Sequence, residues 1–349
     1  MAKKKNTHYS GIGGQAVLEG VMMRNKERYA VAVRKPDGEI AVELETHKGS
    51  AGTNKLKEIP FIRGMFQFVD SMLLGMKALN FSASFYDEEE AADAGKSSKE
   101  GSDKLMNTLV VLVAIAMAVG LFIVLPYVIS AFFEKYIRNA SLLAVMEGGI
   151  RIAIFLLYVW GISFMKDIKR LYRYHGAEHK CINCVEKGRP LTVKDVMRSS
   201  RLHRRCGTSF IFFVLIVSII LFFFIRVDNL LLKVALRILL MPLVAGISFE
   251  LIRLAGRSDN ILVRILSAPG MLIQRLTTGE PDEEMVEVAI AAVEAVFDWK
   301  AYLKETFGYE VDDSWLDDTP KQEDIDEDDI KTDDIATGDF TTEEVGTEA

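Results

Sequence analysis

Cysteine and histidine are scarce in this chain, three and five among 349 residues. So few thiols exclude a small disulfide-stapled scaffold. Charge is missing altogether from Leu105–Phe133, 29 consecutive positions. About 20 apolar residues suffice for a helix to cross the hydrocarbon core of a bilayer, so this run is long enough to span. Half of the chain is apolar and 26% is charged, which excludes disorder as a whole-chain description. The charge is segregated. From Glu310 onward there are 17 acids against Lys321 and Lys331, and residues 1–309 carry a net +8 within a total of −7. The pattern is that of an apolar, basic body with an acidic tail.

Further apolar stretches follow the first. Residues 142–165 form a second span, with Glu147 and Arg151 one helical turn apart and able to pair. Cys206–Ile225 is a third, and Leu230–Leu254 a fourth that carries Lys233, Arg237 and Glu250 and so should face protein or a polar cavity. The fold class expected is mainly α, a multi-pass helical membrane protein of about four spans with a small N-terminal α+β part. Residues 166–206 hold 12 Lys or Arg against 4 acids, whereas 131–149 hold two of each sign. By the positive-inside rule the 166–206 segment is cytoplasmic, and with an even span count both termini are too. The basic start Met1–Lys5, followed by polar sequence, does not read as a signal peptide.

The organisation expected is therefore as follows. Residues 1–85 are a cytoplasmic part, in which Tyr29–Arg34 and Glu39–Leu44 alternate around Lys35–Gly38 as a hairpin. Within it, Gly11–Arg24 reads as a packed glycine turn, and Pro60–Ala83 as an interfacial helix. Residues 86–104 are a linker and 105–254 the membrane domain. Residues 255–309 supply an amphipathic pair broken at Ala268-Pro269-Gly270 and one helix over Asp282–Phe307. Residues 310–349 are a disordered acidic tail.

Chemistry concentrates between positions 175 and 206, which hold three of the five histidines and every cysteine. His175-x-x-Glu178-His179 puts two imidazoles one turn apart on a single helix face, with a carboxylate beside them able to take a proton from water. This is the inverted zincin order. A third ligand is needed, and His203 and Cys206 are the nearest candidates. An overlapping pattern, Cys181-x2-Cys184-x18-His203-x2-Cys206, is close to a zinc-ribbon spacing and would be a closed structural site. Both patterns cannot hold one ion. The plain alternative is histidines hydrogen-bonded to nearby carboxylates or lipid phosphates. Lys180, Arg201, Arg204 and Arg205 suit an anionic substrate group, or simply satisfy the positive-inside rule.

Taken together, Gly13–Arg24, Arg63-Gly64, Gly75-x-Lys77-x-Leu79, Tyr174–Lys180 and Arg205–Phe210 resemble the YqhQ-like family of bacterial membrane proteins, over roughly residues 8–305. The resemblance implies a bacterial cytoplasmic-membrane location. It also implies a site built on His175, Glu178, His179, His203 and Cys206, in a family described as a predicted metal-dependent enzyme. The family pattern usually has proline after the histidine at 203, where this chain has Arg204. Cys181 and Cys184 are not fixed features of that pattern, which weighs against the ribbon. The function expected is a metal-dependent hydrolase with a divalent ion, zinc by donor type, and Glu178 as general base. Its expected partners are the bilayer and a protein or lipid-linked substrate, not nucleic acid. Glu19, Arg24 and Arg205 are candidate substrate contacts. The alternatives are a scaffold or assembly factor with a structural metal, and a transporter component leaning on Arg237 and Glu250.

Overall fold

The computed structural model describes residues 8–47, 49, 59–94, 100–225, 227, 229–257, 260–308 and 311. The acidic tail, Val311 apart, and the Met1–Lys5 start lie outside the described residues. Four antiparallel strands come first, in the order β1 (Ile12–Val17), β2 (Gly20–Asn25), β3 (Arg28–Arg34) and β4 (Ile40–Thr46). The β3–β4 hairpin matches the alternation in the sequence, with Arg34 paired to Ile40. The glycine stretch is a second hairpin, not a turn, folding at Leu18-Glu19 where Val17 pairs with Gly20.

Helices account for the rest: α1 (Ile62–Ala94), α2 (Glu100–Val119), a π turn over Gly120–Val124, α3 (Leu125–Phe133), α4 (Ala140–Ile162) and α5 (Lys166–Glu186). Then come α6 (Val193–Met197), α7 (Gly207–Phe223), α8 (Leu230–Arg257), α9 (Ile261–Thr277), α10 (Glu283–Val296) and α11 (Trp299–Phe307). The segment expected as a linker is helical up to Ala94 and again from Glu100, consistent with its Glu and Ala content. Among the described residues three stretches are long and apolar enough to cross a membrane: Thr108–Phe133, Ala140–Ile162 and Leu231–Gly256. Such helices suggest membrane association. The third expected span is the apolar α7, 17 residues long.

Proline accounts for the π turn. Pro126 has no N–H to give to the carbonyl four residues back, that of Phe122, and its ring crowds that carbonyl. The helix widens over Gly120–Val124, and the Phe122 carbonyl accepts instead from Arg151 Nε at 3.0 Å. In α9 the expected break is absent, and the helix runs through Pro269, with Gly270 pressed against Ser209 of α7. Conversely, the single helix expected over 282–307 is two. Phe297 is extended, and Asp298 caps α11 by accepting from Ala301 N, as Asp282 caps α10 through Met285 N.

The central strands β2 and β3 are buried on both faces, while β4 is largely exposed. Ile12, Val21, Met23, Ala30 and Ala32 pack with α5 and α10 in one core, while Val17, Met22, Val31 and Val33 pack with Leu74 and Ala78 of α1 in another. Successive side chains of β2 therefore serve opposite cores, as the period-2 geometry of a strand requires. This sandwich presses β1 against the histidine-bearing helix α5.

Candidate metal centre

Helix α5 carries His175, Glu178 and His179, and its C-terminal half is buried. Cys206 arrives from the other side as the N-cap of α7, its sulfur facing Thr208 N at 3.4 Å. One metal-binding atom from each of His175, His179 and Cys206 falls within 4.8 Å of the others. His175 Nε2 is 3.1 Å from Cys206 Sγ. The other ring nitrogens are committed elsewhere. His175 Nδ1 donates to the Thr277 carbonyl at 2.9 Å, and His179 Nδ1 donates to the Arg201 carbonyl. A carbonyl only accepts, so each Nδ1 carries a proton and Nε2 is the ring atom left for an ion, on His175 once the proton it shares with Cys206 is released. That outer arrangement fixes the tautomer and orientation that metal-binding imidazoles need.

Glu178 Oε2 stands 3.9 Å from His175 Nε2 and 4.0 Å from His179 Nε2. Its side chain is almost wholly buried, and burial raises its pKa; a hydrogen bond from Gly14 N opposes that rise. Gly14 makes this approach feasible, since a Cβ there would sit 2.4 Å from the Met22 carbonyl and 3.2 Å from Glu178 Cγ. Gly176 does the same on the opposite flank, where a Cβ would lie 1.9 Å from the Gly279 carbonyl. The C-terminal end of α9 and the loop after it can therefore lie on α5, with the Thr277 carbonyl at His175.

The electrostatics of the cluster are those of an ion pair. Burial opposes charge on both partners, yet their proximity prevails. His179 and His175 hold the Cys206 thiol well below its ordinary value, and the Cys206 sulfur pushes His175 up to about 9.

The remaining candidates are deployed differently. His203 is not in the cluster. Its Nε2 lies 3.1 Å from Arg205 Nη2 and 3.7 Å from Glu186 Oε2, although its ring neighbours that of His179 with centroids 5.6 Å apart. Its backbone is held at both ends by Gln274, which accepts from His203 N and donates to its carbonyl. Burial opposes charge on Glu186, but His203 and Arg205 hold it down to about 2. Ser10 completes that group by donating to Glu186. Cys181 is packed in the core with α10 and the sheet, and Cys184 Sγ faces the Pro190 carbonyl at 3.2 Å. Burial raises both thiols, Cys184 to about 12. The ribbon ligands are thus not gathered among the described residues.

The basic residues considered for substrate binding have internal partners. Arg205 pairs with Glu186 and stacks on Tyr9, while Lys180 and Arg201 share Glu280. Arg24 donates to the Lys26 carbonyl, and Glu19 pairs with Arg170 and accepts from Tyr174. Arg237 and Glu250 also go separate ways, to Glu147 and to Arg63. Sequence reasoning missed Gly14, Gln274 and the Thr277 carbonyl. The two glycines at 13–14 were the visible signal for the first, whereas nothing local marks the others.

The chain is thus a mainly helical protein with helices of spanning length, a small antiparallel sheet, and a largely buried His/His/Cys cluster formed by α5, which packs on the sheet, and the N-cap of α7. The chain belongs to the family described as "protein of unknown function (DUF1385)", which matches residues 59–299. It is similar to the uncharacterised protein YqhQ of Bacillus subtilis (strain 168), 36% identical over 284 residues, 80% of this chain and 89% of that one. The YqhQ-like resemblance is thereby borne out. No solved structure matches at a significant level. The family match takes in His175, Glu178, His179 and Cys206, and begins after the strand that carries Gly14.

Proposed function

We propose that the protein is a metal-dependent hydrolase of the bacterial cytoplasmic membrane, with its site on the cytoplasmic side, acting on a peptide or lipid-linked substrate. One observation carries the reading: His175 and His179 turn Nε2 toward Cys206 while their Nδ1 atoms are tied to backbone carbonyls. Two imidazoles and a thiolate suit zinc, and three protein ligands leave a position open, the pattern of catalytic rather than structural sites. The ion would act as a Lewis acid toward water and toward a carbonyl or phosphoryl oxygen.

Glu178 is the general base in this reading. Its carboxylate lies beside both Nε2 atoms, and burial raises its pKa above the ordinary carboxylate value, the direction that strengthens a base. Gly14 N fixes the carboxylate from the sheet side. Glu186, His203 and Arg205 position the loop that delivers Cys206. The excess of basic residues in 166–206 supports the cytoplasmic orientation, with four spans and both termini inside. The test is Glu178→Gln, with metal content and complementation of a deletion strain measured together. Bound metal with lost function supports the base, and full function with full metal refutes it.

A further inference from the structure

A second charged group is buried away from the His/Cys cluster, among the helices of spanning length. Glu147 and Arg151 of α4 meet Arg237 of α8. Arg151 Nη2 donates to Glu147 Oε1 at 2.9 Å, and Arg237 Nη2 donates to Glu147 Oε2 at 2.9 Å. Arg151 also reaches Ser218 Oγ at 3.3 Å and the Phe122 carbonyl freed by the π turn. Both guanidinium groups lie over the same Phe222 ring, 5.0 and 5.2 Å from its centroid.

Among the described residues the charges do not balance. Two guanidinium cations share one carboxylate, leaving one net positive charge in a region where Arg151 and Arg237 are each 3% exposed. Desolvating an uncompensated charge is expensive. The hydrogen bonding is incomplete on the same side. Among the described residues Arg237 Nε is buried without a hydrogen-bond partner, whereas Nη1 is paired with Glu147 Oε1 at 2.6 Å. A donor without an acceptor and charge without a counter-ion call for the same thing, an anion of charge −1.

A route is visible in the residue order. Lys233 lies one turn before Arg237, toward the start of α8, half-buried with Nζ 4.4 Å from the Tyr127 ring centroid. Arg237 lies over that ring from deeper in, at 5.9 Å. Cations thus step from Lys233 to Arg237 to Arg151. The close packing of the group favours a small ion over a headgroup. We propose that Arg151, Arg237 and Glu147 form a buried binding site for a small monovalent anion of the halide class, entered past Lys233 and Tyr127. Ionisable side chains inside a membrane commonly mark such ion sites. This inference is independent of the metal reading.

The experiment uses the full-length protein in detergent or nanodiscs at fixed ionic strength and pH. Sodium chloride or bromide is titrated against sodium gluconate, and the melting temperature is followed. Binding to the folded state should raise it by a few degrees with a saturable midpoint. Glu147→Gln leaves both cations without their carboxylate and should lower the chloride midpoint about tenfold or more, while Arg237→Gln should abolish the response. A merely structural ion cluster would lose stability in both variants with no halide dependence. Should Arg237→Gln not fold, Lys233→Gln replaces it, with an expected rise of several-fold in the midpoint. Equal melting temperatures of the wild type in chloride and gluconate would overturn the proposal, as would a response to phosphate but not to halides.

Discussion

His175 Nε2 lies 3.1 Å from Cys206 Sγ, although 31 residues separate them in the chain. The contact joins a helix face to a helix N-cap, and the short loop before Cys206 is held by Gln274 rather than by its own secondary structure. Without a metal the pair is best described as imidazolium and thiolate, with the shared proton kept on the pair up to about pH 9.

That proton gives metal binding a pH dependence. An ion taking His175 Nε2 must displace it, so below about pH 9 affinity should rise about tenfold per pH unit and level off above. Zinc competition with a chromophoric chelator at pH 6.5, 7.5 and 8.5 measures the slope. A flat profile over that range would show that no proton leaves the pair.

The two metal patterns are separated by cysteine substitutions. Cys206→Ser should lower metal content to near background. Cys181→Ser should leave it intact, because Cys181 is core, and should cost at most about 1–2 kcal/mol of stability. Elemental analysis of both variants decides. Loss of metal from Cys181→Ser would restore the ribbon.

Gly176→Ala probes the packing that delivers Thr277. A Cβ there would lie 1.9 Å from the Gly279 carbonyl, so the loop must move away, at about 1–3 kcal/mol. The expected result is a lower melting temperature together with weaker metal binding, since His175 loses its orienting carbonyl. Unchanged metal affinity with lowered stability would detach the loop from the site.

Glu186 gives the fold an acid dependence of definite sign. Its folded pKa, about 2, is below the ordinary 4.5, so its stabilisation is complete above about pH 4.5 and is lost as the pH falls toward 2. Glu186→Gln leaves Arg205 and His203 without their carboxylate and should cost about 3 kcal/mol at neutral pH. Between pH 4.5 and 3 the gap from the wild type should narrow. Parallel pH profiles would assign the effect to packing.

Much of this was legible in the sequence because it is periodic. The uncharged run at 105–133, the alternation around Lys35–Gly38 and the His175-x-x-Glu178-His179 spacing each announce their element through a single local rule. The first hairpin was hidden because Gly13 and Gly14 resemble a turn, whereas Gly14 is there to let β1 approach Glu178. The choice between His203 and Cys206 was not legible either. Both sit close together in the chain, and only long-range partners, Glu186 for one and His175 for the other, distinguish their positions.

If His175, His179 and Cys206 hold an ion, elemental analysis of the purified protein beside His179→Ala reads it out. The wild type should carry about one equivalent of zinc or a similar divalent metal, and a folded His179→Ala variant near-background metal. Near-zero metal in both, after purification without chelators and with zinc supplied, would contradict it.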